Sequence, residues 1–425
     1  MLTHIFRMLI ALAVGVSYAA DTVAADDHAA HGGHGAAAHP PAVATGVTSL
    51  DVYADGSRLH VLTAVRDGGG GPRLQYVHSN DGGVTWSAAV DVPDAGTAPQ
   101  VTRGADAHVA AAGDRLVAAW TAHSATDRFG SGGLATAVSG DGGRTWRVGP
   151  NPVDDPSDAG RAFVDVAAGA DGTFHLVWLD TRPTAGAPSN GQGLRYARST
   201  DAGQTWSPNR TLVASTCECC WNTLAAGPGG RVAVLFRQRN PRDMGIVTSS
   251  DDGRTWGGPV TVGAFGWGVD GCPHVGGGLA FATADPIDPV ANEGAGGVAC
   301  HAVVWTAKGD GATGAFVLGS ADGAASWSPP QQLGGDARSW HADVAAGPGG
   351  RLAAVWDAHD GTKQVVRATR SDDGGRTWSP PAVFSATDVS ATHPRVVWIG
   401  DGFRAFWTER SIEAAAVSVW SNRKL

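Results

Sequence analysis

Ser79-Asn80-Asp81-Gly82-Gly83-Val84-Thr85-Trp86 is the first of six near-copies of one octapeptide. The runs ending at Trp146, Trp206, Trp256 and Trp378 fit the same pattern, Ser-x-Asp-x-Gly-x-Thr-Trp. The copy from Ser320 to Trp327 keeps Ser, Asp and Trp but carries Ala324 for the Gly and Ser326 for the Thr. Short Ser, Thr and Asp side chains bond back to nearby backbone amides, Gly supplies a positive φ, and Trp lays apolar area over the turn. The pattern therefore describes the closed end of a β-hairpin, a staple and not a site of chemistry.

Around these turns the chain repeats a four-strand sentence from Val47 onward: an Ala/Val-rich strand, a Gly/Asp turn, a strand ending in an aromatic residue, a loop, a third strand running into the octapeptide, and a short fourth strand. The second strands end at Trp120, Trp178, Phe236, Trp305, Trp356 and Trp407, which points to packing between repeats. First strands begin near Leu50, His108, Phe163, Thr223, His274, Asp343 and Arg395, giving seven repeats, the last without the octapeptide. Thr283 to Gly297 is an insertion in the fifth.

The octapeptide is the Asp box, and the chain resembles the sialidase-like Asp-box (BNR repeat) β-propellers over the span from Ser79 to Trp378. The resemblance implies an all-β fold of four-stranded blades. Seven blades are favoured from the strand count and six remain open, with residues 42–47 available to complete the last blade and close the ring. It says little about chemistry, because one fold hosts many functions.

Composition agrees with many short strands and tight turns. There are 61 Gly and only 17% charged residues among 425, which argues against disorder. A formal charge of −9 gives no nucleic-acid footprint. The first 20 residues read as a secretory signal: His4 and Arg7, the apolar run Met8 to Val16, then small residues up to Ala20, with cleavage after Ala19 or Ala20 and a second possible site after Ala25. No later run reaches the length of a membrane span. The expectation is a monomeric protein, periplasmic or secreted, in an oxidising place. Residues 21–41 form a tail rich in His28, His31, His34 and His39, either a plain linker or a low-affinity metal collector; residues 42–425 are the propeller domain.

The resemblance raises sialidase activity first. That family clamps a carboxylate with three arginines and uses a late Tyr primed by Glu. Here Tyr53, Tyr76 and Tyr196 are the only tyrosines after the leader, Glu218, Glu293, Glu409 and Glu413 the only glutamates, and no Arg-Ile-Pro signature lies near Val47. Arg237, Arg239, Arg242 and Arg395, with Asp243 and Trp221, are left as candidate contacts for a small anionic or carbohydrate ligand.

Cys217-Glu218-Cys219-Cys220 lies in the loop leading into repeat four and Gly271-Cys272-Pro273-His274 in the loop leading into repeat five. Neighbouring blades bring such loops together at one mouth of the channel. Two readings remain open. One is a disulfide, for example Cys219 or Cys220 to Cys272, although five cysteines cannot all pair. The other is a soft-metal site for copper or zinc, built from Cys217, Cys219, Cys220 and Cys272 with His274, His341 and His393. The same cysteine motifs resemble a subgroup of Asp-box proteins of unknown activity. The functional expectation is an exported binding protein with a Cys/His site at the channel mouth; the alternative is an exo-α-sialidase-type glycoside hydrolase with a rearranged active site.

Overall fold

The protein is described by a computed structural model covering residues 46–66, 71–94, 96–126, 131–157, 159–184, 191–268, 273–283, 298–307, 313–335, 338–413 and 417–425. The signal segment, the tail histidines and Cys272 lie outside these residues. The described chain is a seven-bladed β-propeller. Each of the first six blades is a four-stranded antiparallel sheet in simple up-and-down order, and the seventh contributes three strands.

The innermost strands are Val47–Asp55, His108–Ala112, Arg161–Ala168, Thr223–Gly227, Gly277–Thr283, Asp343–Ala346 and Val389–Trp398. Each packs against the next around the ring, and the seventh packs against the first. Closure is visible where the Val47 amide donates to the Ser418 carbonyl (3.0 Å), beside the last strand, Val419–Lys424. Residues 42–45, expected to extend this pairing, lie outside the described residues.

Between blades the core is aliphatic, with the aromatic ends of the second strands inside it. Trp120, Trp178, Phe236, Trp356 and Trp407 are all buried, each in an apolar cluster spanning adjacent blades.

All six octapeptides fold alike. In the first, Ser79 Oγ accepts from the Gly83 amide (2.8 Å), and Asp81 accepts from both the amide and the hydroxyl of Thr85 (2.8 and 2.5 Å). The divergent copy keeps the scheme: the Ala324 amide donates to Ser320 Oγ and Ser326 to Asp322. Its price is Ala324 at φ 74°, where Gly sits without strain. Tyr76 meets Trp146 edge-on, and Tyr196 meets Trp256 in the same way. Two of the three mature tyrosines thus join an Asp-box Trp of the following blade to the blade before it.

Candidate functional site

The loop after Thr216 crosses from the outer strand of blade three to the inner strand of blade four, and its three cysteines turn inward together. Sγ of Cys217 lies 3.6 Å from Cys219 and 3.8 Å from Cys220, and Cys219 and Cys220 are 4.0 Å apart. The sulfurs are withdrawn from water, the residues being 1%, 6% and 1% exposed. These separations are about twice a disulfide bond of about 2.05 Å, and Cys217, Cys219, Cys220 and Cys300 are all free thiols. Cys300 stands apart in the core of blades four and five, its thiol pushed up to about 12 by burial.

Arg242 meets the triad from outside, its Nη1 donating to Cys217 Sγ (2.9 Å), and the positive charge of Arg237 acts on Cys220. Hydrogen bonding with Cys219 and Cys220, helped by Arg242, holds Cys217 far below the ordinary thiol range. Cys219 is driven up chiefly by donating to Cys217, and Cys220 is pushed up to about 11, chiefly by burial. The three sulfurs thus form one mutually hydrogen-bonded group in which Cys217 is the most acidic. The loops leading into blades four and five converge on Arg237: the Cys217 amide donates to its carbonyl (3.0 Å), and its guanidinium donates to the Val275 carbonyl.

The residues around the triad divide into frame and rim. Arg237 is 1% exposed, and its guanidinium donates to the carbonyls of Val275, Arg242 and Trp305 while lying 4.8 Å over the Trp267 ring. Asp243 accepts from the Gly266 and Trp267 amides (2.8 and 2.9 Å). These two, expected as ligand contacts, tie the Arg237–Asp243 turn to the loop leading into blade five. Arg239 and Glu218 form the more exposed rim, paired at 3.0 Å, with Arg242 4.0 Å from the same carboxylate. The His274 side chain is exposed.

The histidines expected beside the cysteines gather elsewhere. His341 and His393 stack face to face, centroids 3.5 Å apart at 14°, and with Asp357 form a second group. Asp357, on the second strand of blade six and fully buried, accepts from His341 Nδ1 and the His393 amide (2.8 and 2.9 Å) and from the Thr392 hydroxyl. Thr392 in turn contacts His393 Nδ1 (2.9 Å). Burial, with His341, Arg103 and Arg395 nearby, holds His393 well below the usual imidazole range, so it is neutral at neutral pH. Among the described residues the predicted Cys/His set is therefore two clusters, Cys217-Cys219-Cys220 and His341-Asp357-His393.

Trp221 separates them. Its ring centroid lies 5.7 Å from His341 and 6.4 Å from His393, and it packs with Phe163, Trp267, Val275 and Trp305. Gly276 and Gly104 leave room for it: a Cβ on Gly276 would fall 2.1 Å from Trp221 Nε1, and one on Gly104 3.2 Å from the ring. One indole from blade four thus reaches neighbours from blades two through seven and covers the axis. Below it remains a cavity of about 10 Å³, lined by Arg103, Asp106, His341, His393 and Arg395, barely room for one water. Trp221 and Arg395, expected as ligand contacts, both line this cavity.

Beneath this plug the inner strands carry an ionic ring. His108 Nδ1 lies 3.3 Å from Asp51 and 3.2 Å from Asp165. Arg395 is held charged against burial by Asp343, Asp51, Asp106 and Asp165. Asp51, Asp165 and Asp343 each accept the amide of an inner strand of the following blade, from Val109, Leu224 and Val396 (2.9, 2.7 and 3.0 Å). At the far end Tyr53 Oη contacts both the carbonyl and the amide of Ala168, from blade one to blade three. The other tyrosine hydroxyls bond His60 and His175.

The sequence reading put the starts of first strands near His108, Asp343 and Arg395 and missed Asp51, Asp357, Thr392, Arg103 and Gly104. Asp357 carried a signal: an acidic residue follows the strand-two Trp within two positions at Asp180, Asp357 and Glu409.

No protein-family model matches the chain, and no curated protein matches it. Among solved structures, an ulvan lyase of polysaccharide lyase family PL25 has a TM-score of 0.58 at 10% identity, covering 90% of this chain and 97% of that one. A protein of unknown function from Dyadobacter fermentans gives 0.52 at 12% identity, covering 90% and 96%. A sialidase from Trypanosoma rangeli gives 0.45 at 11% identity, covering 89% and 55%. At such identities the likeness is one of fold, a β-propeller, and carries no activity with it.

Proposed function

We propose that the protein is an exported binding propeller whose Cys217-Cys219-Cys220 loop holds a thiophilic metal ion, copper or zinc, at the channel mouth. The observation that carries this reading is the sulfur triangle of 3.6, 3.8 and 4.0 Å. A metal with sulfur bonds of about 2.3 Å sets its thiolates about 3.8 Å apart in a tetrahedron and about 4.0 Å apart in a trigonal plane. The chain already holds its sulfurs at that spacing. The Arg242 donor on Cys217 and the positive charge of Arg237 near Cys220 favour the thiolate form that binds metal.

Export follows from the leader read in residues 1–20 and places the thiols in an oxidising compartment, where a bound ion protects them from pairing. His28, His31, His34 and His39 then serve as a weak collecting tail feeding the tighter site. Titrating reduced, untagged protein with Zn(II) or Cu(I) while counting reactive thiols tests the assignment. Protection of three thiols per ion bound is the expected result; a thiol count that metal leaves unchanged removes the site.

A further inference from the structure

We infer that His341, Asp357 and His393, with the Thr392 hydroxyl beside them, form a second metal site between blades six and seven, built from nitrogen and oxygen and suited to a borderline divalent ion such as Zn(II). It shares no ligand with the sulfur triangle and does not depend on it. His341 Nδ1 and the Thr392 hydroxyl both bond Asp357 Oδ2, the first at 2.8 Å, and His393 Nδ1 lies 2.9 Å from the same hydroxyl. One ligand atom from each of the three residues lies within 4.8 Å of the other two. Two imidazoles and a carboxylate are a set that first-row divalent ions take.

Packing alone does not account for the group. At the corresponding place in blades three and seven, Asp180 and Glu409 accept the indole N–H of Trp178 and Trp407 (3.0 and 2.5 Å). Asp357 does not serve Trp356 in this way. The Trp356 indole nitrogen and Asp357 Oδ1 are both buried with no hydrogen-bond partner among the described residues, on side chains that are fully withdrawn from water. A carboxylate oxygen left open beside two imidazoles is a place for a ligand. The backbone of blade seven serves the same end: a register shift falls between Thr392 and Arg395, and His393 within it takes φ 51°, so a bulge brings its ring onto His341. The cations nearby have carboxylates of their own. Arg103 bonds Asp106 and the Leu50 and His393 carbonyls, and Arg395 lies among Asp343, Asp51, Asp106 and Asp165. The His341 side chain is 21% exposed, which gives an ion a way in. Parallel rings cannot both aim a nitrogen at one point, so their planes turn toward the ion as it binds and the stack beneath Trp221 opens. Giving up that stack and the His341–Asp357 bond makes this the weaker site, filled on titration after the sulfurs.

The test is a Zn(II) titration of untagged, full-length Cys219→Ser protein, in which the sulfur triangle is broken, followed by the imidazole nitrogen resonances. The ring nitrogens of His341 and His393 are expected to shift together in a single saturating phase, with a change in tryptophan fluorescence as the stack under Trp221 opens. Asp357→Asn in the same background, which keeps the shape of the carboxylate, should weaken that phase by at least about tenfold. Zn(II) that shifts only the tail imidazoles of His28, His31, His34 and His39 overturns the inference, as does undiminished binding in a folded Asp357→Asn variant. Should that variant not fold, the titration with Asp357 intact decides by whether the two rings shift. The sulfur site is read separately, by thiol protection, so its failure and the failure of this site are distinguishable.

Discussion

Arg242 Nη1 stands 2.9 Å from Sγ of Cys217, so a permanently charged donor faces a sulfur that is 1% exposed. The Cys219 and Cys220 thiols are the larger cause of the lowered Cys217 thiol, and Arg242 adds to them. Arg242→Ala should therefore weaken the thiolate without abolishing it. In the metal-free, reduced protein the ultraviolet thiolate absorbance at neutral pH is expected to fall, and a midpoint for its appearance should move to higher pH. An unchanged titration would mean that the guanidinium does not act on the sulfur.

The buried ring in the channel predicts a pH dependence of stability. Burial opposes the charge on His108, but Asp51 and Asp165 outweigh it and raise the imidazole to about 9 from 6.5. A folded-state value above the unfolded one means the stabilisation is fully present below pH 6.5 and is lost as pH rises through about 9. His108→Gln should cost about 3 kcal/mol at pH 6.5 and should flatten the decline of the urea midpoint between pH 6.5 and 9. A variant that keeps the wild-type slope over that window would place the titration elsewhere.

Much of this architecture could be read in the sequence because it rests on short-range patterns. The octapeptides fix turns through bonds spanning two to four residues, Ser79 to Gly83 for instance, and their spacing gives the blades. The approach of Cys219 to the blade-five loop also followed from topology, since neighbouring inner strands must bring their leading loops together. What sequence could not give was the use of each polar side chain. Arg237 and Arg242 look alike in the run Arg237-Gln238-Arg239-Asn240-Pro241-Arg242, yet one is locked on carbonyls and the other reaches a thiolate. His341 and His393 sit at equivalent positions of blades six and seven and were expected near the cysteines. They stack on each other instead, with the buried Asp357 carboxylate accepting from the His341 ring and from the His393 backbone amide.

The Trp221 plug predicts a sharp response to one methyl group. A Cβ at residue 276 would lie 2.1 Å from Trp221 Nε1, a contact that forces the indole or the strand to move. Gly276→Ala should lower stability by about 1 to 3 kcal/mol and shift the resonances of the His341 and His393 rings beneath the indole. Wild-type stability and unshifted histidine signals would show that Trp221 does not seal the axis.

Hydrolysis of sialosides is not expected. Tyr53 is engaged by the Ala168 backbone, Tyr76 by His60 and Tyr196 by His175, and Glu409 is buried against Trp407 and Ser421. No Tyr/Glu nucleophile pair forms among the described residues. A fluorogenic sialoside panel should therefore give no signal above buffer, and turnover lost on Arg395→Ala would reveal a rearranged hydrolase.

The central claim is that Cys217, Cys219 and Cys220 form one metal site, and its most direct test is the metal content of full-length protein purified without a histidine tag. Wild-type protein is expected to carry about one copper or zinc ion per chain, and Cys219→Ser, which breaks the sulfur triangle while leaving the blades intact, should lose it. Metal-free wild type after reconstitution under reducing conditions, or full metal retention in Cys219→Ser, would contradict the account.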